Sequence, residues 1–140
     1  MEQKIEAPTP EDLANIEAKR TWVREHYEAA VRDRYDSIEG KLVLLDTILR
    51  SGWIAAQETL KLQCLGITFG DALAQSLGLE WCAVEDEYGR DPALRLVGTS
   101  IVVFPLTTIS KRIELGEVVN VRSLFDDACS TIDRLRSEAG

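Results

Sequence analysis

Apolar residues recur three and four positions apart through the first half of the chain, the spacing of helices that bury one face. Thr9-Pro10-Glu11-Asp12 opens the first such run. Thr9 can cap, Pro10 suits the first helical position, and Asp12 stands where a capping box places an acid. Leu13, Ile16, Val23, Tyr27 and Ala30 form its apolar line, which predicts one helix to about Tyr35, and Arg20 and Arg34 interrupt that line. Ser37 caps a second predicted helix through Arg50, with Ile38, Leu42, Leu45 and Leu49 inward and Ser51-Gly52 as its stop. A third is predicted from about Trp53 to Leu77, closed by Gly78, on the line Leu62, Leu65, Phe69, Leu73, Leu77. Gly66, Gly70 and Ala74 fall four apart beside that line. Each glycine inside a helix costs about 1 kcal/mol against alanine. The spacing therefore predicts a continuous helix whose glycines admit a neighbouring backbone. The alternative is a break at Gly66 and a restart with Asp71 near the new N-terminus.

The period then changes. Glu80–Glu87, Ala93–Val97 and Ser100–Phe104 read as strands, with turn chemistry at Tyr88-Gly89-Arg90-Asp91-Pro92 and at Gly98-Thr99. They predict a three-stranded antiparallel meander with helices on one face. Leu106–Leu115 reads as a short helix, with Leu106, Ile109 and Ile113 inward and Gly116 as its stop. Asn120 caps the last helix to about Ser137, stapled by Val119 and Leu124, with Leu124, Ala128, Ile132 and Leu135 inward. The expected fold is α+β: three N-terminal helices, a small three-stranded sheet and two C-terminal helices. It occupies residues 1–140 as a single domain, with short polar tails at about 1–8 and 138–140. Central helix three is expected to pack on the sheet.

Charge sharpens this layout. The net charge of −8 divides as −4, −1 and −3 over residues 1–40, 41–80 and 81–140, from ten acids and six bases, four and three, and ten and seven. The nearly uncharged middle marks the core. An acidic surface repels phosphates, which argues against nucleic acid and anionic membranes as partners. The polar first ten residues carry no secretory signal, and the uncharged run Leu62–Gly70 falls far short of the roughly 20 residues that cross a bilayer. A cytoplasmic location is expected. Cys64, Cys82 and Cys129 show no metal-type spacing and read as reduced, mostly buried thiols. The single histidine, His26, excludes two-histidine metal motifs and leaves a Cys–His dyad improbable. No cofactor is implied.

One ordered set of motifs resembles a known family: Leu65-Gly66-Ile67-Thr68-Phe69-Gly70-Asp71, Gly78-Leu79-Glu80-Trp81, Asp86-Glu87-Tyr88-Gly89-Arg90-Asp91, Phe104-Pro105 and Lys111-Arg112. Over roughly residues 40–125 the chain is similar to the bacterial domain of unknown function family 3806. The resemblance implies a small bacterial α+β domain. It brings no established activity, so no catalytic residue follows from it.

Glu85, Asp86, Glu87 and Asp91 are the densest polar group. Four carboxylates near one turn can attract a divalent cation, but Tyr88 and Arg90 occupy the places where a calcium loop needs oxygen ligands. A solvated hairpin with an Arg90 ion pair is the simpler reading, and no metal is expected. Alternation places Glu85 and Glu87 on one strand face, where they could act as paired catalytic carboxylates. Tyr88 has two readings: an interface anchor among charges, or a ring folded back on its own sheet. Lys111 and Arg112 read as a solvated face near Glu114 and Glu117, and Trp22, Trp53 and Trp81 as core or core-edge packing.

The sequence alone assigns no activity. Three readings follow. The first is a non-enzymatic protein-binding module contacting a partner, with a basic one suited to its charge, through Glu85, Asp86, Glu87, Tyr88, Arg90 and Asp91. An immunity- or antitoxin-like protein is one version, since acidity complements basic toxins. The second is a hydrolase-type enzyme using the carboxylates of Glu85–Asp91, which requires a buried cleft holding at least two of them. The third is a homo-oligomeric structural domain using the interrupted stripe of helix one or the small-residue line of helix three.

Overall fold

A computed structural model describes residues 3–139, the side chain of Ala139 aside. The α+β class holds, with one strand more and one helical segment more than expected. The chain runs β1 (Lys4–Glu6), α1 (Pro10–Arg24), a 3-10 segment (Ala29–Asp36), α2 (Ile38–Ser51), α3 (Thr59–Leu77), β2 (Glu80–Asp86), β3 (Gly89–Arg95), β4 (Val102–Val103), α4 (Leu106–Glu114) and α5 (Val121–Ala139). The strands form one antiparallel sheet in the order β1-β2-β3-β4.

The start of α1 follows its sequence signal. Thr9 N–H donates to Asp12 Oδ2 at 2.8 Å and Asp12 N–H donates to Thr9 Oγ1 at 3.1 Å, which closes the capping box. Its end does not: α1 stops at Arg24 rather than at Tyr35. His26 N–H and Tyr27 N–H bond back three residues, to Val23 O and Arg24 O, which tightens the last turn. Glu28 is then extended, and the 3-10 segment, kinked at Val31, folds back along the bundle. This path buries Tyr35 and seats the Tyr27 hydroxyl on Gly40 O at 2.7 Å. Packing of two tyrosines outweighs the helical propensity of the charged stretch.

Helix α3 is the axis of the molecule and packs against α1, α2, α4 and α5. It is unbroken through Gly66 and Gly70, as the sequence predicted. A Cβ on Gly66 would lie 2.5 Å from Leu106 Cα, and one on Gly70 would lie 2.6 Å from the Trp81 ring. The close neighbours that offset the two glycines are thus the start of α4 and Trp81 of β2. Helix α3 begins at Thr59, later than predicted. Ala55 N–H donates to the Glu58 carboxylate at 2.9 Å and holds residues 53–58 as a turn. Trp53 is correspondingly 60 % exposed and stacks on His26, outside the core where it was expected.

The fourth strand, β1, lies in the expected polar tail. Only Ile5 is apolar there, and it stands opposite Val84. Cys82, Val84 and Ala93 form a small apolar cluster with Ile5 and Val102, on the sheet face opposite Trp81 and Leu94. Leu94, Phe69, Leu65 and Leu45 belong to the main core between sheet and helices. The hairpin is tighter than its glycine and proline suggested. Only Glu87 and Tyr88 link Asp86 to Gly89, so Arg90, Asp91 and Pro92 belong to β3 rather than to the turn. β4 covers only Leu94 and Arg95, which leaves Pro92 on a free stretch of strand edge where its missing N–H is tolerated. The predicted third strand, Ser100–Phe104, contracts to Val102–Val103. Asn120 caps α5 through Ser123 N–H at 3.0 Å. α5 extends to Ala139, so the expected C-terminal tail is helical there, and Gly140 lies outside the described residues, as do Met1 and Glu2 of the expected N-terminal tail. Among the described residues no helix is long and apolar enough to cross a membrane.

Candidate functional site

The predicted hairpin site divides into two parts. At its tip Tyr88 is 88 % exposed and does not fold back on the sheet. Asp86 shapes the turn, its carboxylate accepting the Tyr88 N–H at 2.8 Å, and Gly89 takes the positive φ of 133° that follows. Glu87 and Asp91 are exposed, and Glu85 and Asp86 half-buried. Glu85 stands opposite Lys4 on one side and Arg90 on the other.

Arg90 does not pair within the hairpin's own acid group. Its NH2 donates to Asp12 Oδ2 at 2.7 Å and its Nε to Asp12 Oδ1 at 3.1 Å, with Glu6 at 3.4 Å. One carboxylate therefore caps α1 and clamps β3. The Arg90 hydrogen bonds, then the Thr9 N–H, hold the Asp12 carboxyl well below the usual carboxylate range. A depressed carboxyl stabilises the fold above its unfolded value, near pH 4, and that contribution is lost as pH falls through the folded value. Thermal melts on acidification below about pH 4 are expected to lose stability more steeply for the native chain than for Asp12→Asn. Equal slopes would show the clamp to be fully screened.

The recess beside the hairpin, about 210 Å³, is lined by Arg90 and Asp91 but not by Glu85, Asp86 or Glu87. It gives the carboxylate-enzyme reading no cleft with two of its acids. Among the described residues no three His, Cys, Asp or Glu side chains come together as metal ligands. The three cysteines are free, and burial pushes all three thiols up. His26 is exposed, with Nδ1 on Trp22 O at 2.8 Å. Arg112 donates one Nη1–H to Thr108 O at 3.0 Å.

A second constellation centres on Asp71 and was not singled out in the sequence. Arg20 donates to it twice, Nε to Oδ2 and NH2 to Oδ1, each at 2.7 Å. Tyr35 Oη donates to Oδ2 at 2.8 Å and Trp81 Nε1 to Oδ1 at 3.0 Å. Since the Tyr35 proton goes to Asp71, Thr68 Oγ1 donates to Tyr35 at 3.0 Å. Burial, then the Asp71 charge, pushes the Tyr35 phenol far up and keeps it protonated as a donor. Four elements meet at this one carboxylate: α1, the 3-10 segment, α3 and β2. Only the Arg20 half of it left a signal in the sequence. Arg20 lies on the apolar line of helix one because it faces inward.

Asp71 fixes how the helices meet, and the small-residue line of α3 is filled by Leu106, Pro105 and Trp81. Much of the two surfaces that motivated the homo-oligomer reading is engaged within the chain, while Leu13 of the helix-one stripe stays half exposed.

These features define a small α+β domain in which a central glycine-bearing helix carries a four-stranded antiparallel sheet. The chain belongs to the family described as domain of unknown function (DUF3806), whose sequence model matches residues 41–125. That range contains Thr68, Asp71, Trp81 and the hairpin, while Arg20 and Tyr35 come from the segment before it. The fold is also similar to a crystal structure at 1.50 Å resolution from Bacteroides thetaiotaomicron VPI-5482, with a TM-score of 0.73 and 18 % identity over 91 % of this chain. The chain spans 47 % of that protein's length. At this identity the likeness shows the fold alone. A search of the curated proteins finds no match.

Proposed function

We propose that this chain is a non-enzymatic protein-binding module that docks through the tip of its β2–β3 hairpin. The observation that carries the reading is Tyr88, a large aromatic ring 88 % exposed on a two-residue turn. Burying such a ring releases much apolar area at low side-chain entropy cost, which suits an interface anchor. The turn is held before any partner arrives, by Asp86 from within and by the Arg90–Asp12 clamp behind it. Glu85, Glu87 and Asp91 stand on the same hairpin as the ring and give it a negative balance, and Arg90 is withdrawn to the clamp. The favoured partner is therefore basic. A basic toxin, with this chain as its immunity or antitoxin-like protein, is the sharpest version, and it rests on the net charge of −8 and the small size.

Co-purification from source lysate tests the proposal. A stoichiometric basic partner is expected at low salt, lost at high salt and lost with Tyr88→Ala. An exposed substitution of this kind shifts stability by no more than about 0.5 kcal/mol, so the loss reports binding. No stoichiometric partner, or one that Tyr88→Ala retains, overturns it.

A further inference from the structure

Lys41 is only 6 % exposed, in the first turns of α2, where the helix dipole disfavours a cation. Its Nζ donates to Gln75 Oε1 at 2.6 Å and lies 5.0 Å from the centre of the Tyr35 ring. The Gln75 amide is fixed in turn by donating to Asp36 O at 3.0 Å. Among the described residues no carboxylate lies within ion-pair distance of Lys41. Asp71 is near, but its two oxygens already accept four hydrogen bonds, which fills the lone pairs of a carboxylate. An ammonium has three donors, and one of these is used. Arg24 faces the same tyrosine, its guanidinium 5.7 Å from the ring centre, and only its NH2 is engaged, by Glu17 and Thr21. Arg20, Arg24, Tyr35, Asp36, Lys41 and Asp71 together line an open recess of about 310 Å³. It presents spare N–H donors, a saturated carboxylate and one rim acid, Asp36.

We infer that this recess binds a small oxyanion, a phosphate or carboxylate group, between Lys41 and Arg24 over the edge of Tyr35. Charge-assisted hydrogen bonds to both cations would supply the acceptors that the chain itself does not. Burial pushes the Lys41 ammonium down, with Asp71 and Asp36 pulling it back, and an anion beside it would act in the same direction as those two acids. The charges of Asp71 and of Asp36 at the rim both oppose the anion and limit its affinity.

The test is an amide NMR titration of the whole chain at constant ionic strength, with inorganic phosphate in one arm and acetate in the other. Saturable shifts are expected at Tyr35, Lys41 and Gln75. Saturation by phosphate alone identifies a phosphoryl ligand, by acetate alone a carboxylate, and by both a general oxyanion site. Lys41→Met keeps the stem that packs on Tyr35 and is expected to weaken binding about tenfold or more. Arg24→Gln, on the more exposed side, should weaken it as well, and gives the same reading if Lys41→Met does not fold. Asp36→Asn should strengthen it. Saturation by neither anion, shifts centred elsewhere, or unchanged affinity in the cation variants overturns the inference. None of these outcomes depends on Tyr88.

Discussion

Asp71→Ala should cost about 3–5 kcal/mol of folding stability, the range for removing one partner of a buried ion pair. The side chains of Arg20 and Asp71 are 23 % and 10 % exposed, so solvent screens the guanidinium left behind only in part. The same change strips the Trp81 indole and the Tyr35 hydroxyl of their acceptor. Tyr35 can turn its proton to Thr68 Oγ1, but the orphaned indole adds its own desolvation cost, which is why the effect should exceed that of any exposed ion pair in this chain. Asp71→Asn keeps one acceptor oxygen and should lie between the native chain and Asp71→Ala. Arg20→Met combined with Asp71→Asn removes the stranded charge and should recover part of the loss. Urea unfolding measures all three. A loss below about 1 kcal/mol in Asp71→Ala would show that the cluster is solvated and structurally unimportant.

Gly66→Val should be nearly as damaging, for a steric rather than an electrostatic reason. Its Cβ would lie 2.5 Å from Leu106 Cα and 2.7 Å from Leu106 O, and both are backbone atoms that cannot rotate away. Either α4 moves off α3 or the helix distorts. Overpacking of this kind costs about 1–3 kcal/mol and occasionally more. Gly66→Ala separates the two contributions. Alanine gains about 1 kcal/mol of helix propensity, so a net loss of stability isolates the clash. Leu60→Ala on the exposed face of the same helix is the neutral comparison. A stabilised Gly66→Ala would mean that α4 yields without cost.

Local chemistry made much of this fold readable. The capping box at Thr9 and Asp12, the Asn120 cap and the left-handed stops at Gly52 and Gly78 depend on neighbours within a few residues, and each stands where the sequence placed it. The close approach at Gly66 and Gly70 was legible as a cost without a local benefit. Features set by distant partners were not legible. Strand β1 is three residues with one apolar side chain, and only Val84 and its neighbours make it a strand. Helix α1 ends early because Tyr35 is wanted in the core, which nothing in residues 25–34 announces. Asp71 reads as an ordinary acid beside a glycine, and its role appears only when Arg20, Tyr35 and Trp81 arrive from three other elements. Tyr88 stood between two readings until the two-residue turn fixed its direction outward.

The pairing of β1 with β2 has a consequence for the order of assembly. Lys4 lies against Glu85 and Glu6 against Ala83, so β1, made well before β2, has no partner until the last residues of β2 emerge. The helices between them close local contacts and can form early, whereas this pairing closes the longest loop of any strand pairing in the sheet. During synthesis Ile5 is an unpaired strand awaiting its edge. Arg90 reaches Asp12 only when β3 follows, so the cap of α1 is locked one step after β1 finds its edge.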